Sequence, residues 1–173
     1  MTDKEAIGKQ ILNAAYLEGD FTLRSGRKSR YYLDKYLFET KPEILAAVAG
    51  LFAQHVTEDI DRIAGPELGA VALAAAVSLK TGTPFVIVRK AGKGYGTDKL
   101  FEGELHAGER VLLVEDVATT AGAALKAAED LREFGAEVVK IVVVIDRQEG
   151  ATENAAAAGF TLESLFTKES LGI

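Results

Sequence analysis

Apolar residues recur along the 173-residue chain in two rhythms, one helical and one extended. Ile7, Ile11, Leu12, Ala15 and Tyr16 fall at helical spacing within 4–17, and Gly19 follows as a stop. Phe21-Thr22-Leu23 and Tyr31-Tyr32-Leu33 are short β-prone runs around Ser25-Gly26-Arg27-Lys28, the pattern of a hairpin or tight loop. Thr40-Lys41-Pro42-Glu43 predicts a helix start. Thr40 serves as N-cap, Pro42 sits in the first turn and Glu43 takes the reciprocal capping position, and the helix runs to about residue 55. Strands are then expected over 62–65, 84–88, 110–114, 138–145 and 160–166, with helices over 70–80, 122–134 and 152–158. Gly82 and Gly135 close two of these helices.

Val111-Leu112-Leu113-Val114 and Ile141-Val142-Val143-Val144-Ile145 are unbroken apolar runs, as in strands buried on both faces. With helices between them they predict an α/β fold, a central and mostly parallel sheet with helices on both faces. The alanine-rich stretches 70–76, 121–128 and 155–158 read as helix faces that pack closely on that sheet. One segment escapes both rhythms. Residues 89–109 lack apolar periodicity and contain Gly92, Gly94, Gly96, Gly103 and Gly108. A loop of that length inside a compact domain is usually functional, and its composition predicts a mobile lid.

Composition removes whole classes of chemistry. The chain has no Cys, which excludes disulfides, Cys-ligated zinc, iron–sulfur clusters and cysteine catalysis. Its two histidines, His55 and His106, are too few for a multi-His metal site and read as surface residues. No run of about 18 apolar residues could span a membrane, and the acidic start Met1-Thr2-Asp3-Lys4-Glu5 is unlike a signal peptide; a cytoplasmic location is expected. The net charge of −6 argues against a nucleic-acid partner. Placement qualifies that sum. Arg24, Arg27, Lys28, Arg30 and Lys35 lie within twelve residues, and Arg89, Lys90, Lys93 and Lys99 within eleven. Two such concentrations in an acidic chain point to a small anion.

Ligands of open parallel sheets bind at the carboxyl ends of strands, here after Ala64, Val88, Val114 and Ile145. The richest end is 111–123, where four aliphatic residues lead into Glu115-Asp116, then Val117-Ala118-Thr119-Thr120-Ala121-Gly122-Ala123 opens a helix. Small residues at a helix start leave N–H groups bare for a phosphate, and the carboxylates accept from sugar hydroxyls: a pattern for a phosphorylated sugar. A Walker-B reading fails because no G-x-x-x-x-G-K-[ST] loop is present, and a dinucleotide reading fails because Thr97 stands where a Gly is required. A phosphoryl-receiver reading leaves the 89–109 loop unexplained.

Residues 111–123 resemble the phosphoribosyl-pyrophosphate motif of type I phosphoribosyltransferases. More narrowly, the segment from Phe21 to Tyr32, the lid Arg89-Lys90-Ala91-Gly92-Lys93-Gly94-Tyr95-Gly96 and Asp146-Arg147-Gln148-Glu149 resemble the orotate phosphoribosyltransferases. The resemblance implies the type I fold as one domain over 1–173, with a small N-terminal hood over 1–40, a core over 41–173 and the lid. It implies transfer of ribose 5-phosphate from phosphoribosyl pyrophosphate (PRPP) to orotate in pyrimidine biosynthesis. It also implies Mg²⁺ bound mainly through PRPP, with no dedicated protein ligand assigned, and a homodimer in which each lid acts on the neighbouring subunit's site. PRPP would be bound by Arg89, Lys90, Lys93, Tyr95 and the run Glu115 to Ala123. Glu115 and Asp116 hold the ribose hydroxyls and residues 119–123 the 5′-phosphate. Orotate would be bound by Thr119, Arg147, Arg24, Tyr31 and Tyr32, and Lys93 and Asp116 would be catalytic.

Three positions depart from many relatives. Tyr95 replaces a His, and its hydroxyl, with a reference pKa near 10, adds no charge near neutrality. The turn Gly65-Pro66-Glu67-Leu68-Gly69 lacks a Lys, so its backbone N–H groups, Arg24 and the lid lysines take on the pyrophosphate. Ala118 replaces a bulkier aliphatic. Arg27, Lys28 and Arg30 read as solvated hairpin charges or dimer contacts, and Lys99 as a lid-surface charge. Two other functions share this fold. A phosphoribosyltransferase for another base is disfavoured by Arg147 and the N-terminal segment. A PRPP-sensing transcription regulator needs an extra DNA-binding module, for which the chain has no spare length.

Overall fold

The computed structural model describes residues 3–22, 26, 28–90 and 99–173. The chain begins with helix α1 (Asp3–Ala15), a hairpin of β1 (Tyr16–Thr22) and β2 (Lys28–Leu33), then α2 (Tyr36–Glu39) and α3 (Pro42–Phe52), which ends in a 3-10 turn over Ala53–His55. The alternating part comprises β3 (Arg62–Pro66), α4 (Gly69–Thr81), β4 (Phe85–Val88), β5 (Phe101–Glu102), β6 (Arg110–Ala118), α5 (Gly122–Phe134), β7 (Glu137–Asp146), α6 (Ala151–Ala157), β8 (Leu162–Thr167) and α7 (Lys168–Leu171). The sheet order is β5-β4-β3-β6-β7-β8, parallel except for the short edge strand β5. Alternation along the central strands feeds two cores. Leu112 and Val114 face a layer built from α1, α3 and α4, while Val111 and Leu113 face α5 and α6. Ile11 and Ala15 of α1 are fully buried in the first of these cores.

Several expected boundaries move. The first helix stops at Ala15 and Tyr16 opens β1; Gly19 lies inside that strand, where the pairing with β2 shifts register. Thr40 is not an N-cap: it closes α2, its hydroxyl donating to the Tyr36 carbonyl at 2.5 Å, and Lys41 precedes α3. Phe101 and Glu102, placed in the lid by sequence, pair with Val88 and Ile87 as β5. Residues 91–98 of the expected lid lie outside the described residues. His55 is half-buried, its Nδ1 3.4 Å from Glu163 Oε2, whereas His106 is exposed as expected. Burial first, then the Lys140 charge, lowers the His55 pKa.

Candidate active site

The carboxyl ends of β4, β3, β6 and β7 stand side by side, each followed by a segment the sequence singles out. β6 continues to Ala118, so Glu115 and Asp116 lie within the strand and not beyond its tip. Their relative exposures are 8% and 2%. As neighbours in a strand they diverge. Glu115 opens onto a concavity of about 90 Å³ that it shares with Val117, Thr119 and the first turn of α5. Asp116 turns toward α4 and accepts from Lys35 Nζ at 2.5 Å. Gly69, the first residue of α4, permits this: a Cβ there would lie 1.8 Å from Asp116 Oδ2.

Burial raises the Glu115 carboxyl well above the usual carboxylate range, and the adjacent Asp116 charge adds to the shift. Burial alone would lower the Lys35 ammonium; its hydrogen bond to Asp116 and the charges of Asp116 and Glu115 hold it above its ordinary value instead. Glu39, on α2, is 3% exposed. Burial, with the Asp116 charge second, pushes its carboxyl up to about 8.

After β6 the backbone presents an open cradle. Thr119, Thr120, Gly122 and Ala123 are exposed. Ala121 precedes α5 in the left-handed region at φ 61° and ψ 17°, a conformation that costs a non-Gly residue about 1–3 kcal/mol and is typical of ligand clamps. Asn154 Nδ2 braces the loop by donating to the Thr120 carbonyl at 3.0 Å. The Arg147 N–H donates to the Ala118 carbonyl at 2.9 Å, which fixes the arginine beside the cradle. Its guanidinium lies 5.7 Å from the Tyr31 ring centroid, with Nη2 3.4 Å from the Tyr31 hydroxyl. Tyr31 stacks on Tyr16 at 5.4 Å.

The predicted site residues are therefore brought together in part. Tyr31 reaches Arg147; Tyr32, one residue on, faces the other way against Phe21 at 5.7 Å and is 44% exposed. Arg89 follows β4, with Nη1 3.3 Å from Glu102 Oε1, and the Lys90 N–H donates to Glu67 Oε1 at 2.8 Å. Arg24, Lys93 and Tyr95 lie outside the described residues. Lys28 spans the hairpin, donating to Thr22 Oγ1 at 2.7 Å, and Arg30 and Lys99 are exposed. Among the described residues, three buried side-chain polar atoms have no hydrogen-bond partner: Glu39 Oε1, Arg89 Nε and Arg147 Nε. Arg147 Nε is 3.3 Å from Glu149 Oε1 but lacks hydrogen-bond geometry. Two of the three belong to the arginines expected to meet anions, and an unpaired buried donor is costly until an acceptor arrives. Sequence reasoning missed Lys35, counted only as one of a basic cluster, and Glu39, a single acid after Tyr36-Leu37-Phe38.

A model of the phosphoribosyl transferase domain matches residues 38–168. The orotate phosphoribosyltransferase of Methanocella arvoryzae is 50% identical over 169 residues, covering 98% of this chain and 97% of that one. The chain belongs to the orotate phosphoribosyltransferase family. The orotate phosphoribosyltransferase of Thermococcus gammatolerans is 51% identical over 158 residues, 90% of this chain and 84% of its own. Among solved structures, the Mycobacterium tuberculosis orotate phosphoribosyltransferase in complex with Fe(III) dicitrate superposes with a TM-score of 0.89 at 31% identity, covering 99% of this chain and 100% of that one. The same protein in complex with PRPP gives 0.85 at 30% identity, with the same coverage. The mostly parallel sheet with helices on both faces, expected from the sequence, is thus the fold this chain shares with those structures.

Proposed function

We propose that the chain transfers the ribose 5-phosphate group of PRPP to orotate, giving orotidine 5′-phosphate and pyrophosphate for pyrimidine nucleotide synthesis. The Arg147 geometry carries this reading. Its buried Nε faces Glu149 without forming a hydrogen bond, and its backbone N–H donates to the Ala118 carbonyl at the edge of the cradle. A planar fork there suits the carboxylate of a flat acceptor, held against a ribose whose 5′-phosphate fills the cradle. Glu115 and Asp116 accept from the ribose hydroxyls; Arg89, Lys90 and Lys93 neutralise the pyrophosphate. A bond forms between an orotate ring nitrogen and ribose C1 as the C1–oxygen bond breaks. Its electron pair leaves with pyrophosphate, and the nitrogen's proton goes to solvent. The chain supplies alignment and charge and no covalent nucleophile.

Among the described residues no three His, Cys, Asp or Glu side chains converge on a metal position. Glu115 and Asp116 diverge and Asp116 is taken by Lys35, so a Mg²⁺ would be bound through the substrate phosphates and water and not by this carboxylate pair. Held mainly by PRPP, such an ion would supply charge neutralisation on the departing pyrophosphate. We also infer a homodimer in which each lid completes the neighbouring site. Leu68 and Leu79, at the two ends of α4, are 70% and 88% exposed, apolar surface that a partner would cover. Among the described residues no helix is long and apolar enough to cross a membrane. The phosphorylated substrates of the proposed reaction support a cytoplasmic location. With Mg²⁺, orotate and PRPP, the purified chain should consume orotate and release pyrophosphate one for one. Turnover with a purine base and none with orotate would overturn the assignment.

A further inference from the structure

The β3–α4 junction, Gly65-Pro66-Glu67-Leu68-Gly69, has no cation of its own, and its Glu67 is acidic. This turn lies at the middle of the site, because β3 sits between β4, which ends at Arg89, and β6, which carries Glu115 and Asp116. A donor with its ribose at the end of β6 and its pyrophosphate reaching toward Arg89 and Lys90 crosses the end of β3. A dianionic or trianionic leaving group would then lie over a turn whose side chains offer it no positive charge.

The structure assigns that charge to Lys35. Its Nζ arrives from the hairpin-to-α2 connection, is 2.5 Å from Asp116 Oδ2, and lies 2.9 Å from where a Cβ on Gly69 would stand. It therefore hangs over the end of the 65–69 turn. The side chain is 33% exposed, whereas that of Asp116 is 3% exposed, so the ammonium is open on one side and anchored on the other. An ammonium has three donors, of which Asp116 takes one. The remaining donors can reach pyrophosphate oxygens while the bond to Asp116 is kept. Lys35 is in this view a pyrophosphate-binding residue of PRPP, held in place by the carboxylate that also faces the ribose.

This inference rests on PRPP as donor, so its test separates the two. The full-length protein, Lys35→Gln and Lys35→Arg are titrated with pyrophosphate plus Mg²⁺, and separately with ribose 5-phosphate, by calorimetry; KM is measured for PRPP and for orotate. Gln keeps a hydrogen bond to Asp116 without the charge, and circular dichroism checks that each variant is folded. Lys35→Gln should weaken pyrophosphate binding and raise KM for PRPP by about 10- to 100-fold, the loss of a hydrogen bond to a charged group. Ribose 5-phosphate binding and KM for orotate should change by less than about 2-fold on that scale, and Arg should restore most of the loss. Unchanged pyrophosphate affinity, or equal weakening of pyrophosphate and ribose 5-phosphate, would reduce Lys35 to a brace for Asp116 and overturn the inference. An unmodified chain that binds neither ligand would overturn the donor assignment and this inference with it.

Discussion

Glu39 illustrates how much one side chain can bias the molecule. Its carboxyl is 3% exposed, with Oε1 unpartnered, and burial together with the Asp116 charge raises it to about 8. In the unfolded chain it ionises near the reference value of about 4.3. Between those values the folded state binds more protons than the unfolded one, so this group's contribution falls as pH rises. Glu39→Gln removes that dependence. Urea unfolding should show the two proteins nearly equal at pH 4.5, with the variant more stable by about 1–3 kcal/mol at pH 8.5. A stability difference that stays flat between those pH values would mean that Glu39 does not titrate in this way. Arg89 and Arg147 carry the opposite kind of defect, a buried Nε donor without a hydrogen bond, which supports the anion-binding roles proposed for them.

At the level of elements, Gly65 sets how closely β3 and α4 approach. A Cβ there would fall 2.5 Å from the Ala70 carbonyl oxygen and 2.7 Å from Ala74 Cβ, so strand and helix would have to part. Gly65→Ala should cost about 3 kcal/mol or more by overpacking, measured by urea unfolding. Gly108→Ala meets open space and only a positive φ of 86°, for about 1 kcal/mol. Equal costs would refute the close approach. Elements with long apolar rhythms were legible in the sequence: Gly122–Phe134 is α5 as read, and Gly82 and Gly135 cap their helices in the left-handed conformation. What escaped has physical reasons. α2 and α7 have four residues each, too short for a helical period to show. β6 was cut at Val114 because Glu115 and Asp116 end the apolar run, although both are buried strand residues. The cradle was readable from small residues and hydroxyls, and Arg147 from its place after a strand. The Lys35–Asp116 pair, 81 residues apart in sequence, has no local signal at all.

For the whole molecule, the net charge of −6 says less than where the cations stand. Arg89, Arg147 and Lys35 come from three distant segments to one end of one sheet, each beside a carboxylate: Glu102, Glu149 and Asp116. The proposed dimer makes a further claim about assembly. On the proposed roles, Lys93→Ala removes the lid's cation and Arg147→Ala the acceptor's clamp, so each variant alone should lose turnover by orders of magnitude. Co-expressed in equal amounts, they should regain about one quarter of wild-type activity, since half the dimers are mixed and each mixed dimer has one intact site. No recovery, with mixed dimers demonstrated by affinity tags, would mean that each lid serves its own subunit. The divergence of Glu115 and Asp116 has a last consequence. One carboxylate looks into the α5 layer and the other into the α4 layer, so the ribose we propose they hold would sit astride the sheet like a rivet through two plates. Sliding of either layer would loosen the grip, and a filled site should make the two halves of the domain move as one.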